Sequence, residues 1–311
     1  MARTRRDAFV ETGMIAPGPE GALRGTLCQP MEAACDVCVV IVPGSGPTDR
    51  NGNQVALFPC SLEMLAHGLA DAGIASLRVD KRGMYGSVMA LANANDVAIG
   101  EYADDVATWA SEIRSQTGMS RVYVLGHSEG GLVALVVAAQ RQGVNGVVHL
   151  CAASRPFAEV LLEQLGPKLP DAALRTNLES VIAALASGKS VDAADIAPPL
   201  FPLFGPHIQR LMISSMSHDP AQLAADLDMP MLVVRGRMDF QIKIADVQRL
   251  VDANANAELR IFDTMNHVLK TVSSPEPAAQ ANVYRDPAIP LADGLTAAIA
   301  NFILRNEQRR A

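Results

Sequence analysis

The chain has 311 residues, of which 49% are hydrophobic and 19% charged, enough apolar material for a sizeable core and too much for a disordered chain. A net charge of −7 argues against nucleic acid or an anionic membrane surface as the main partner, and no apolar run is long enough to span a bilayer. Arg3, Arg5 and Arg6 open the chain without an apolar segment behind them, so no secretory signal is expected and the expected location is cytoplasmic.

Five cysteines, an odd number, read as free thiols in a reducing compartment. Cys35 and Cys38 form one C-x-x-C pair, but no second Cys or His pair stands near it for zinc, and Cys38 opens an apolar strand.

Phe9 to Ile15 and Ala22 to Cys28 read as a β-hairpin around the turn residues Pro17 to Gly21. Val37 to Val42 is apolar on both faces, the pattern of a central parallel strand. It ends at Pro43-Gly44-Ser45-Gly46-Pro47. A glycine-rich bend there can turn backbone N–H groups toward a site at the strand ends. The Ser45 amide is the chosen anion donor, with Gly46 as the nearby option. Asp49, Arg50 and Asn53 are expected to stitch the loop together.

A helix is predicted from Pro59 to Ala72, closed by Gly73. The next strand, Ile74 to Val79, runs into Asp80-Lys81-Arg82-Gly83, read as a turn in which Asp80 pairs with Arg82. Ile99 to Gln116 forms an amphipathic helix with Tyr102, Val106, Trp109 and Ile113 on one stripe. Val122 to Leu125 is a buried strand, followed at once by Gly126-His127-Ser128-Glu129-Gly130 and a helix of good formers. That is G-x-S-x-G in its required strand–turn–helix setting. Small flanking residues let the turn strain Ser128 outward, and the new helix aims amides at the same place. Gly146 to Cys151 is a further buried strand, in which His149 is expected to be a satisfied core histidine.

The strand–helix alternation implies a parallel sheet covered on both faces. From Ala153 to about Leu227 it breaks into helices near Phe157–Leu165 and Ala172–Ala186 with a proline-rich stretch between 198 and 206. The expected organisation is a core of 1–152 and 228–311 with a helical cap of 153–227. Phe201, Phe204, Met212 and Met216 in this cap are the candidate pocket residues; His207 and His218 are assigned to the surface. The sheet resumes at Met231, a helix covers Ala245–Ala253, and a last strand runs from Glu258 to Asp263. Asp239 and His267 each follow one of these strands, and Pro290 to Leu304 closes the chain as a helix.

Ser128, Asp239 and His267 therefore emerge from three strands at one sheet edge, where open α/β sheets bind ligands. The roles this suggests are nucleophile, orienting acid and general base, with the Ser45 and Glu129 amides holding an oxyanion. Asp263 is the rival acid, four residues from His267. With P-G-S-G-P-T-D-R-N-G-N, D-K-R-G-M-Y-G-S, G-H-S-E-G-G, G-R-M-D-F-Q and N-H-V-L, the chain resembles the α/β-hydrolase superfamily, near the serine aminopeptidase and monoglyceride-lipase branch. Pro43 stands where many relatives carry His, and Tyr85 is bulkier than the usual residue of its turn. The resemblance implies a mostly parallel eight-stranded sheet, a helical cap and cleavage of small-molecule carboxyl esters without metal or cofactor. Thioester, amide or N-terminal peptide cleavage and a non-catalytic homologue are the alternatives.

Overall fold

The computed structural model describes residues 8–32, 36–141 and 143–309. Cys35 and the basic residues Arg3, Arg5 and Arg6 lie outside the described residues. The hairpin strands are β1 (Phe9–Pro17) and β2 (Ala22–Pro30). There follow β3 (Val37–Val42), α1 (Ser61–Asp71), β4 (Ala75–Val79), α2 (Ile99–Thr117), β5 (Arg121–His127), α3 (Glu129–Ala139) and β6 (Gly146–Leu150). A helical segment then holds α4 (Phe157–Leu165), α5 (Ala172–Ala186), α6 (Phe201–Phe204), α7 (Gln209–Met216) and α8 (Pro220–Ala225). The remainder is β7 (Met231–Gly236), α9 (Ile244–Ala253), β8 (Ala257–Phe262), α10 (Pro277–Gln280) and α11 (Leu295–Gln308).

The eight strands form one sheet in the order β1-β2-β4-β3-β5-β6-β7-β8, in which β2 pairs antiparallel with both neighbours and β4 through β8 are parallel. Period-2 alternation divides the core between the two faces. Cys38, Val40 and Val42 of β3 pack with Val106, Trp109 and Val133 on one side, while Val37, Val39 and Ile41 pack with Leu62, Leu65 and Phe302 on the other. The strand order reverses between β3 and β5: the chain leaves β3 toward β4 and then crosses back to β5. Their carboxyl ends thus bound the crevice where an open sheet receives ligands.

Three expectations change. Asp80 binds Arg50, which donates through its backbone N–H and Nε at 3.0 Å each. Arg82 instead forks onto Asp105 of α2, with both bonds at 2.8 Å. The turn after β4 sends the two side chains apart, so each ion pair ties this turn to a different element. The closing helix begins at Leu295, not Pro290, because Gly294 takes a left-handed φ of 79° and Leu291 bridges Lys270. The helical segment also splits. Leu178, Ile182, Leu185, Leu200, Phe204 and Met216 form a separate apolar core, whereas Ala224 and Leu227 join the sheet core beside α3 and α9. Thus α8 packs with the sheet, and α7 contributes Leu211 to the sheet core and Met216 to the separate one.

No helix among the described residues is long and apolar enough to cross a membrane. His149, on a central strand, is fully buried, but its ring nitrogens lack a partner of good hydrogen-bond geometry, with the Ala153 backbone interacting weakly. Burial pushes its pKa down to about 4, and burial together with the neighbouring His267 does the same to His127 at the end of β5. Both rings fold neutral, whereas the unfolded chain takes up these protons below the ordinary value near 6.5. The stability they contribute is therefore complete above about pH 6.5 and falls away as pH drops toward 4. Urea unfolding should show a loss of about 2 kcal/mol per histidine between pH 7.5 and 5. His149→Gln should flatten that dependence; an unchanged slope would contradict it.

Candidate active site

The turn from β5 into α3 holds Ser128 at φ 55° and ψ −120°, a conformation costly for a residue with a side chain. Close packing imposes it. A Cβ at Gly126 would overlap the Gly130 carbonyl, and a Cβ at Gly130 would overlap the Val42 carbonyl of β3. The Ser128 amide donates to the Leu150 carbonyl at 3.1 Å, so the turn is fastened to β6 as well. Glu129 is the first residue of α3, where backbone N–H groups have no partner within the helix.

The loop after β3 lies against this turn: a Cβ on Gly44 would stand 3.2 Å from the Cβ of Ser128. Its shape is fixed by side chains. Thr48 Oγ1 donates to the Ser45 carbonyl at 2.8 Å, and Gln54 Nε2 donates to Thr48 Oγ1 at 2.7 Å. Asp49 accepts from the Asn51 and Asn53 amides at 2.8 Å each. Ser45 and Gly46 both border the cavity that Ser128 and Glu129 enter.

Asp239 follows β7 and His267 follows β8. His267 Nδ1 donates to Asp239 Oδ2 at 3.0 Å, both residues being buried. Donation through Nδ1 leaves Nε2 as the basic nitrogen. Burial pushes the Asp239 carboxyl up, but the charge and hydrogen bond of His267 and the Gln241 and Ile242 amides outweigh it and hold the pKa below the usual value. Asp263, the rival acid, is exposed and pairs with Arg237 at 2.7 Å. His267 is tied to the elbow by a residue that sequence reading passed over. His127 Nε2 donates to the His267 carbonyl at 2.8 Å, and the two rings lie 5.0 Å apart. The Cys151 thiol beside Asp239 is raised by burial and by that negative charge, which keeps it protonated and a poor nucleophile.

The cavity has a volume of about 810 Å3 and runs from the elbow to the helical segment. Of the four candidate pocket residues, Met212 lines it; Leu203, Ile208 and Leu211 do so as well. Phe204 and Met216 turn into the separate core of that segment, and Phe201 is exposed against His207. The aromatic and methionine content marked an apolar wall, but helical facing decides which residues form it. His218 borders the cavity rather than the outer surface, and burial lowers its pKa.

Lys81 was the second residue missed. It is only 4% exposed, and its Nζ donates to the Gly44 carbonyl at 2.7 Å and lies 3.1 Å from Glu129 Oε1. A lysine directly after a central strand, at the edge that carries the elbow, was the available signal. Away from this edge, Glu11, Cys28 and His67 place possible metal-ligand atoms within 4.8 Å of one another. Their chemistry opposes a cation there: Arg78 already pairs with Glu11, and burial pushes the Cys28 thiol up to about 12.

A family model described as serine aminopeptidase S33 matches residues 60–271. Esterase EstD of Thermotoga maritima is 29% identical over 267 residues, covering 85% of this chain; the chain spans 61% of that relative's length. Among solved structures, proline iminopeptidase of Mycobacterium smegmatis has a TM-score of 0.62 at 15% identity, over 96% of this chain and 100% of the other. An esterase of Pyrococcus furiosus has a TM-score of 0.59 at 16% identity, over 98% and 94%. Est1E of Butyrivibrio proteoclasticus, with ferulic acid bound, gives 0.62 at 15%, over 95% and 99%. At those identities the likeness is one of fold, whereas the family model covers most of the chain: it belongs to the serine aminopeptidase S33 family and has the α/β-hydrolase fold.

Proposed function

We propose that this chain is a serine hydrolase that cleaves carboxyl esters of small to medium acyl groups through an acyl-enzyme. The observation that carries the reading is the buried His267–Asp239 hydrogen bond, tied through His127 to the turn that strains Ser128. Ser128 Oγ attacks the ester carbonyl while its proton passes to His267 Nε2, and Asp239 stabilises the imidazolium that forms. The oxygen of the tetrahedral intermediate takes the negative charge and is held by the Ser45 and Glu129 amides, each donor worth roughly 3 kcal/mol of barrier. His267 then returns the proton to the departing alkoxide. Water, deprotonated by the same base, releases the acid.

The charge pattern of the cavity favours esters over N-terminal peptides. A free α-ammonium needs an unpaired carboxylate, and the one carboxylate among the described lining residues, Glu129, is held by Lys81. The remaining wall is largely apolar, suited to an acyl or aryl group. The esterase relative agrees with this choice. The helices between Phe157 and Met216 act as the cap over the cavity.

A fluorophosphonate probe should label Ser128, and Ser128→Ala should abolish both labelling and turnover; an unlabelled Ser128 in folded protein would overturn the assignment. Asp239→Asn should lower kcat by about 10^3- to 10^4-fold, since an amide cannot hold the required imidazole tautomer with a negative charge. Asp263→Asn should change it less than about twofold, as expected of an exposed partner of Arg237. Given p-nitrophenyl acyl esters and aminoacyl p-nitroanilides side by side, the enzyme should turn over the esters faster. Preference for the anilides would replace ester cleavage with aminopeptidase activity.

A further inference from the structure

We infer that Lys81 is a positioning residue for the oxyanion hole, one ammonium group that fixes and polarises both of its donor segments. The inference rests on the assignment of the Ser45 and Glu129 amides as those donors. The Gly44 carbonyl and the Ser45 N–H belong to the same peptide group. No cis peptide bond occurs among the described residues, so in this planar trans unit the C=O and N–H point in opposite directions. Lys81 Nζ, 2.7 Å from the Gly44 oxygen, therefore pins the face of the peptide turned away from the substrate. Pinning that oxygen sets the direction of the Ser45 N–H. The ammonium also draws electron density toward the oxygen, which makes the N–H a stronger donor.

The same nitrogen reaches the second donor segment, lying 3.1 Å from Oε1 of Glu129. The Lys81 side chain starts at the end of β4, bonds the loop that follows β3 and ends on the first residue of α3 beyond β5. It thereby links the two segments whose spacing defines the hole. A buried ammonium needs a partner for each donor. Glu129 supplies the charge, Gly44 the carbonyl, and the Tyr102 ring lies 5.3 Å from Nζ. Plain structural pairing would not require Nζ to bond the one carbonyl whose peptide N–H faces the reacting oxygen.

Lys81→Met keeps the apolar stem and removes the charge. With p-nitrophenyl esters it should lower kcat by about 10- to 100-fold, less than the loss of a whole donor, while KM stays within about threefold. The decisive measurement is Ki for an acyl trifluoromethyl ketone. Ser128 Oγ adds to its carbonyl carbon, the serine proton passes to His267, and the ketone oxygen becomes the anion in the hole. Ki should rise by the same factor as kcat falls. Lys81→Arg should recover part of both, and Lys81→Gln, neutral but still a donor, covers the case in which the methionine variant does not fold. An unchanged Ki in folded Lys81→Met or Lys81→Gln, or a change confined to KM, overturns the role. If Ser128→Ala retains wild-type turnover, the nucleophile assignment falls and Lys81 with it. Loss in Ser128→Ala with an unchanged Ki in the Lys81 variants overturns the Lys81 role alone.

Discussion

Steric contact between three backbones, those of β3, β5 and α3, governs the geometry of the carboxyl edge. Gly126 and Gly130 approach the Gly130 and Val42 carbonyls so closely that a methyl group has no room at either position. The turn can only close with Ser128 at positive φ, and the surroundings must supply the energy to keep it there. That packing requires β3 and β5 to be neighbours, which the reversal of strand order provides. The same reversal leaves the loop after β3 facing the turn after β5. The strain, the crevice and the placing of the amides proposed to bind the anion are thus consequences of a single packing arrangement.

The charges at this edge reinforce it. Arg50 ties the loop after β3 to Asp80, Arg82 ties the turn after β4 to Asp105 on α2, and Lys81 between them reaches across to Glu129. Consecutive residues of one short turn hence connect to three different elements. Buried ion pairs contribute little net stability when compared with apolar packing, but breaking one by removing a partner is expensive. Their effect here is to fix geometry: each long side chain is held at a charged, multiply bonded end. Loops that could otherwise move independently are held to the sheet.

Much of this was readable from sequence because periodicity and turn chemistry are local signals. The limits of β3 match the apolar run Val37 to Val42, α4 and α5 match their expected spans, and Ser128, Asp239 and His267 emerge at one edge. What local patterns do not carry is the choice of partner across the fold. Asp80 and Arg82 stand two apart and carry opposite charge, so pairing them is the natural reading; tertiary geometry separates them. Phe204 and Met216 have the composition of pocket residues, but the facing of short helices against one another sends them into a separate core. His127 and Lys81 were overlooked for a related reason. Their roles depend on atoms 140 and 37 residues away, the carbonyls of His267 and Gly44.

The division of the apolar core bears on how such a site can change its ligand. The proposed reacting groups are supported by strands and by the two clusters that cover the sheet, whereas the wall supplied by Phe157, Leu161 and Met212 belongs to helices packed around their own cluster. Substitution on that wall alters cavity shape without touching Gly126, Gly130 or the Asp239–His267 pair. Coupling between sites fades when they share no packed neighbours. Leu132 and Tyr102 are different, because they line the cavity from α3 and α2 and are anchored in the sheet. A change there would alter the ligand space and the elbow together. The cavity therefore has one wall that can vary freely and one constrained by the geometry of Ser128, and the boundary between them follows the gap between the two cores.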